Sequence, residues 1–188
     1  VPTNNVFVQL DFNGSEIRSL LSLSGKEQPK EDIHNWNIEN VYRGLIERNK
    51  AKQRFFAWLY NPNSQDYLTE RFYNREEVLK KYYNNGIIST PFGREIESDD
   101  FHALNYLLQS VSSDNCMMQA IKISKFLKGK KSFLHSMVHD SITIDLHKED
   151  RKLIGQIKEI FEDTRLGEFP SSLHLGKNYK DLEEVVWS

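Results

Sequence analysis

Two acids far apart in the chain could share one metal-centred chemistry. Asp140 lies in "MVHDSITIDLH" (Met137 to His147), after Phe133 to Val138 and before a run in which Ile142, Ile144 and Leu146 alternate with Thr143, Asp145 and His147. That alternation predicts a half-buried strand, so the aspartate stands at the bend of a hairpin. Asp11 ends a second apolar run, Val6-Phe7-Val8-Gln9-Leu10. If those strands are neighbours in one sheet, the carboxylates lie side by side at its edge, where like charges repel unless cations sit between them. Mg²⁺ takes one or two carboxylates plus phosphate oxygens, and two ions about 3.5–4 Å apart can clamp the attacking and leaving oxygens of an in-line displacement. An acid in a turn is more often a turn former bonded to its own backbone, and the chain carries 27 acids. The pairing therefore needs a further feature.

"RNKAKQRFFAWLY" (Arg48 to Tyr60) supplies one. Arg48, Lys52, Phe56 and Tyr60 are spaced i, i+4, i+8 and i+12, and each step drifts only about 40° around a helix. Cations lead and rings follow along one face. Such a face could hold a triphosphate at its basic end, with Arg as a planar fork and Lys as a point charge, and stack a base and sugar at its aromatic end. The same spacing suits an amphipathic helix whose rings are core and whose cations are a solvated face.

The elements that must position these residues read as mixed α and β. Strand Val6–Leu10 leads into a helix from Ser15 to Leu23, with Ile17, Leu20 and Leu21 on one side. "GKEQPKED" is a polar loop, a helical stretch runs from Ile38 to Tyr60, and "NPNSQ" breaks it. A short helix is expected from Arg75 to Tyr83, a turn at "NNG", an extended link through "STPFGREIESDD" and a long helix from about Asp100 to Leu127. The hairpin follows, then a helix from Lys148 to Phe161 and a last strand near Ser172 to Leu175. No internal repeat or low-complexity tract interrupts the 188 residues.

Composition bounds the partners. With 28% charged and 38% hydrophobic residues the chain can hold a core, and a net charge of −2 with pI near 6.3 lacks the basic balance of a self-sufficient nucleic-acid binder. The one cysteine, Cys116, excludes an internal disulfide framework and cysteine zinc motifs. No stretch approaches the roughly 20 apolar residues of a membrane span, and the stretch "VPTNNVFVQLDF" has no charged segment followed by an apolar core. The expectation is a soluble, cytoplasmic protein, in host cytoplasm if phage-encoded, with no membrane partner. A start at Val1 without methionine is how a fragment or processed piece looks.

Several motifs together point further. "DFNGSEIRSLLSLSG" (Asp11 to Gly25) resembles motif A of the family A DNA polymerases, the class of bacterial DNA polymerase I and many phage replicases. "EDIH" (Glu31 to His34) is similar to the segment that follows motif A, and "RNKAKQRFFAWLY" resembles the R-x3-K-x3-F-x3-Y of motif B. "TPFGRE" (Thr90 to Glu95) is similar to the T-x-x-GR turn, "HALNYLLQSVSSD" (His102 to Asp114) to the palm helix, and "VHDS" (Val138 to Ser141) to motif C. They come in the family's order and cover nearly the whole chain.

The resemblance implies an α+β fold: a palm with a small antiparallel sheet and long helices, a shortened helical fingers subdomain, and no thumb. It divides the chain into palm at residues 1–36, fingers at 37–90 and palm again at 91–188. It implies template-directed DNA synthesis, transferring a nucleotide from a dNTP to a primer 3′ hydroxyl with two Mg²⁺ ions, Mn²⁺ serving as a substitute. Asp11, Asp140 and the backbone carbonyl of Phe12 would be the metal ligands. Asp11, Asp140 and Lys52 would be catalytic, Lys52 placed to protonate pyrophosphate. Arg48, Lys52 and His34 would bind the triphosphate, Phe56 would stack on the incoming nucleotide and Tyr60 would lie beside the templating position. Glu16, held by Tyr60, would fill the space a 2′ hydroxyl needs, and Phe56 in place of tyrosine is the variant that excludes dideoxynucleotides. Asn105, Gln109, His139 and Arg94 would contact DNA, the first two in the minor groove.

The departures from the pattern are specific. Ser141 replaces the usual glutamate of motif C, a form shared with single-subunit RNA polymerases, while Glu16, the "DIH" segment and Phe56 argue for DNA. Phe101 stands where the palm helix has arginine, Ala57 and Asn61 replace glycines, and the fingers between Tyr60 and Thr90 are phage-like in their shortness. The implied partners are primer-template DNA, dNTPs, and an N-terminal thumb and exonuclease portion on the same polypeptide or a separate chain, without which this piece would be weak or inactive. A catalytically silent, polymerase-derived structural or DNA-binding subunit and an RNA polymerase relative remain the alternatives.

Overall fold

The structure, a computed structural model, describes residues 1–4 and 6–185. The residues at 5 and at 186–188, the last of these at the end of the expected 91–188 palm segment, lie outside the described residues. In chain order the elements are β1 (Val6–Phe12), α1 (Ser15–Leu23), α2 (Ile33–Asn40), α3 (Arg48–Tyr60), α4 (Tyr67–Tyr73), α5 (Arg75–Tyr82), β2 (Tyr83–Asn84), β3 (Ile87–Ser89), β4 (Glu95–Glu97) and α6 (Ala103–Phe126). There follow β5 (Phe133–Val138), β6 (Ser141–Leu146), α7 (Ile154–Glu162), β7 (Asp163–Thr164), β8 (Gly167–Glu168), β9 (Ser171–Gly176) and β10 (Glu183–Glu184). The α+β expectation holds: short antiparallel strands accompany helices of up to 24 residues. The chain divides into two compact units, Val1–Ser15 with Ser112–Ser188, and Glu16–Val111.

The first unit is built on a five-stranded sheet in the order β10-β9-β1-β6-β5, with antiparallel neighbours. Alternation decides its faces. Val8, Leu10 and Phe12 of β1, Ile142, Ile144 and Leu146 of β6 and Leu173 of β9 join one core cluster with Cys116, Ala120 and Ile123 of α6 and Ile154, Ile157 and Phe161 of α7. In that cluster the Phe12 ring stacks on Phe161 at 4.0 Å. Because successive strand side chains point to opposite faces, burying Leu10 and Phe12 turns Asp11 onto the other face. The carboxylate of fully buried Asp145 accepts the N–H groups of Thr3 (2.6 Å) and Asn4 (2.9 Å), which anchors the chain's entry into β1.

The second unit packs α1 to α5 with the small β2-β3-β4 sheet. The helical stretch expected from Ile38 to Tyr60 is two helices, because Arg43 (φ 56°) and Gly44 (φ 71°) turn left-handed and the Gly44 N–H closes on Ile38 O at 2.8 Å. The "NNG" turn joins a hairpin, with Asn85 and Gly86 both at positive φ, as a two-residue type I′ connection requires. Part of the extended link is strand β4, paired with β3. Helix α4 escaped the periodicity; Asp66 starts it by accepting Thr69 N–H while holding Arg54 in a two-point ion pair. In the first unit, the helix expected from Lys148 begins as a 3₁₀ segment over Lys148–Leu153 and becomes α-helical only at Ile154. His147 Nδ1 accepts Glu149 N–H there, and Asp150 accepts the N–H groups of Lys131 and Ser132, so local side-chain bonds hold the tighter turn.

Candidate active site

In the first unit the hairpin and β1 bring the two aspartates together. β1 pairs with β6 in the register Asp11↔Ser141, which leaves Asp140 one residue beyond the ladder, in the turn made by His139 at φ 54°. Phe12 N–H donates to Asp140 O at 3.3 Å, and Ser141 Oγ donates to Val138 O at 2.9 Å to close the turn. Backbone bonds therefore fix both side-chain origins. Burial, and after it the charge of Asp140, pushes the Asp11 carboxyl up to about 6, with His174 pulling the other way. Burial also raises Asp140, opposed by its own N–H and by His139. The Cys116 thiol is pushed up to about 12 by burial and by both aspartates, so it is an inert core group and not a nucleophile.

A half-buried pair of acids with raised pKa values is short of positive charge. Two carboxylate donors fit a hard divalent cation that completes its shell with backbone carbonyl, water and phosphate oxygens. Among the described residues no group of three or more His, Cys, Asp or Glu gathers as a metal cage. His174, absent from the sequence reading, stands on β9 opposite Gln9 and two positions from the Asp11 partner Ser172. Its Nδ1 is buried without a hydrogen-bond partner among the described residues. Its only signal in the sequence is its place in the alternating run "SSLHLG", and its nearness to Asp11 depends on the non-local pairing of β1 with β9.

In the second unit α3 separates its two kinds of aromatic residue. Phe55, Trp58, Leu59 and Ala51 are buried, whereas Arg48, Lys52 and Tyr60 are exposed and Phe56 is half-buried. Phe56 and Tyr60 stack at 5.7 Å with planes 13° apart. The helix is held at both ends. Tyr60 donates to Glu16 Oε2 at 2.7 Å, and Arg48 grips Asp32 through Nε (3.1 Å) and NH2 (2.8 Å). Burial, then the Glu16 bond, raises the Tyr60 hydroxyl, so it stays a donor.

His34, in the first turn of α2, is buried beside Phe56 at 6.3 Å between ring centres, and its Nδ1 has no partner among the described residues. Burial lowers its pKa; Asp32 opposes this and Arg48, Lys52 and Arg18 reinforce it. The first turn of α3 carries no acidic residue and its Glu47 cap makes no side-chain bond, while Arg48, Lys50 and Lys52 crowd the same end. Cations at a helix N-terminus oppose its dipole, an arrangement that an arriving anion relieves.

The other residues singled out in the sequence lie elsewhere in the two units. Asn105 and Gln109 stand a turn apart on α6; Gln109 is exposed, and Asn105 Oδ1 is buried without a partner among the described residues. Exposed Arg94 follows the turn closed by Thr90 N–H to Arg94 O at 2.9 Å, and His139 is exposed at the tip of the β5–β6 hairpin.

No model of a known protein family matches the sequence, and neither does any curated protein. Among solved structures, the POL domain of Pol1 from M. smegmatis, in complex with DNA primer-template and dNTP, superposes with a TM-score of 0.75 at 16% identity. The match covers 94% of this chain and 41% of that one. The chain has a DNA polymerase fold. The small antiparallel sheet with its long helices is thus the polymerase palm architecture. Among the described residues of this polymerase fold, no helix is long and apolar enough to cross a membrane.

Proposed function

We propose that this chain is the C-terminal catalytic part of a family A DNA polymerase, carrying palm and fingers and transferring nucleotides from dNTPs to a primer 3′ hydroxyl. The observation that carries the reading is the convergence of Asp11 and Asp140, acids 129 positions apart by their numbers, at one strand end in a polymerase fold. Residues 1–36 and 91–188 act as palm and 37–90 as fingers. Asp11, Asp140 and the Phe12 carbonyl would hold two Mg²⁺ ions. When bound, these ions supply positive charge to the attacking and leaving oxygens.

The chain's own residues do the remaining work. Arg48 and Lys52 neutralise the triphosphate at the uncapped start of α3, and Lys52 delivers a proton to the departing pyrophosphate. His34 offers its unpaired Nδ1 edge to a phosphate oxygen. The Phe56–Tyr60 stack receives the base and sugar, and Glu16, pinned by the Tyr60 hydroxyl, fills the space of a 2′ hydroxyl and selects deoxynucleotides. Asn105 and Gln109 read minor-groove acceptors, and Arg94 and His139 contact DNA. Primer-template DNA is gripped with the help of a thumb-bearing portion supplied on the same polypeptide or by another chain. The intact acids, Arg48 and Lys52 favour this reading over a catalytically silent subunit.

The deciding experiment follows Mn²⁺ binding by electron paramagnetic resonance, together with primer extension. Saturable Mn²⁺ binding that disappears in both Asp11→Asn and Asp140→Asn is expected, along with deoxynucleotide incorporation, weak in this piece alone, that falls to background in the same variants. Mn²⁺ binding indifferent to both substitutions would remove the basis of the reading.

A further inference from the structure

Asp32 makes more contacts at the phosphate end of α3 than any role so far given to it explains. One of its carboxylate oxygens, Oδ1, accepts the Asn35 N–H at 2.9 Å and so caps α2, the helix that carries His34. The same carboxylate forks the Arg48 guanidinium through both oxygens, at 3.1 and 2.8 Å. A single acid thus ties the start of α2 to the start of α3. The acid is itself held from behind. Arg18, fully buried, donates to Pro29 O at 2.7 Å and to Glu31 O at 2.8 Å, while Gln28 Nε2 returns a bond to Arg18 O at 2.8 Å. The loop entering Asp32 is therefore bolted to α1, the helix whose Glu16 receives Tyr60 at the other end of α3.

We propose that Asp32 is a positioning residue that aims Arg48 and His34 together at one polyphosphate. The inference rests on the nucleotide-binding reading of α3. The fork uses Nε and NH2 of Arg48 and leaves the NH1 edge outside it, and that edge has the planar donor geometry that suits a phosphate. Holding the guanidinium before the ligand arrives removes the entropy of ordering a long side chain from the binding step. Asp32 is also an anion, and as a mere competitor for Arg48 it would oppose binding. Two features weigh against that role. Asp32 simultaneously caps α2, so it stays in place while the Arg48 NH1 edge meets a ligand, and Lys52 remains on the same face to supply attraction. Burial alone would raise its carboxyl, but the Arg48 fork and the Asn35 N–H hold it below the usual carboxylate range, so it stays ionised.

The test titrates the chain with inorganic tripolyphosphate by calorimetry, in wild type, Asp32→Asn, Arg48→Ala and the double variant. Asparagine is an equally good helix cap, so its thermal midpoint should match wild type, but its amide cannot accept a two-point fork. Asp32→Asn should weaken binding about tenfold, and the double variant should bind no more weakly than Arg48→Ala alone, because the two residues act as one unit. Binding by Asp32→Asn as tight as wild type or tighter, or losses that simply add in the double variant, would overturn the positioning role while leaving α3 as a phosphate site. Wild-type binding that is absent, or unchanged by Arg48→Ala, would instead overturn the polyphosphate reading of α3 and the role of Asp32 with it.

Discussion

The carboxylate pair and the α3 face are built by opposite means. Asp11 and Asp140 are set by the main chain: strand register, a left-handed residue in a two-residue turn and one cross-strand N–H bond. Among the described residues His174 and His139 offset their charge only in part, and burial raises both. The α3 face is set by side chains, Tyr60 on Glu16 and Arg48 on Asp32, and the Arg48 charge is paired and partly wet. Main-chain placement tolerates electrostatic strain because a sheet ladder does not yield to one repulsion. Side-chain placement rests on one or two bonds at each end of α3 and yields readily when either partner is replaced. The two arrangements therefore predict different responses to substitution.

The largest effect belongs to the acids. Asp140→Asn should abolish metal binding and nucleotide incorporation, and it should still fold, because the Phe12 N–H bond goes to the backbone carbonyl at that position. At pH 8 the same variant should melt higher than wild type, since a buried charge and a repulsion are removed. A lower midpoint at pH 8, measured calorimetrically, would show that the pair is not strained.

Titration sharpens the point. The Asp11 carboxyl is raised from 3.8 to about 6 in the folded chain, so between those values the native state binds more protons than the unfolded one. Its contribution is fully favourable below about pH 4 and is lost as pH rises through about 6. The difference in midpoint between Asp11→Asn and wild type should therefore grow across pH 4 to 7 and then level. Taking the difference removes acids that move the other way, such as Asp32, whose lowered carboxyl contributes stability at higher pH.

What could be read beforehand follows the same line between local and non-local causes. The hairpin was legible because Ile142, Ile144 and Leu146 alternate with polar residues, and helices α1 and α6 because their apolar positions recur with helical spacing. The meeting of Asp11 with Asp140 followed only if two strands paired, which no local pattern contains; the β1–β6 register supplied it. The break at Arg43–Gly44 had a signal in the glycine, but the apolar and charged periodicity on both sides ran over it. Strands β7, β8 and β10 are two residues each, too short for any alternation, and their pairing is decided by partners. His174 had only its place in an alternating run, and its nearness to Asp11 comes from the pairing of β9 with β1. Asp32 stood inside a recognised motif, yet its double grip on α2 and Arg48 exists only once two helices are packed.

Within α3 the face and the core should separate by energy. Phe55→Ala, which empties a fully buried site against Trp58 and Tyr73, should cost about 3–5 kcal/mol. Phe56→Ala, on the half-exposed face, should cost about 1 kcal/mol or less, measured by chemical denaturation of both variants. Equal losses would place Phe56 in the core and remove it from the nucleotide site.

The smallest stability effect, and the sharpest functional one, is expected at Tyr60. Its hydroxyl donates to Glu16 at an exposed site, so Tyr60→Phe should change stability by about 1 kcal/mol or less. The carboxylate of Glu16 loses the Tyr60 hydrogen bond, however, and its hold on the space that a 2′ hydroxyl would occupy is weakened. Ribonucleotide use should therefore rise relative to deoxynucleotide use, and Glu16→Ala should raise it further by removing the blocking group itself. The order matters: Tyr60→Phe acting without Glu16, in the double variant, should add nothing to Glu16→Ala. Additive gains would mean that Tyr60 meets the sugar directly and that the hydrogen bond at the end of α3 only holds the helix in place.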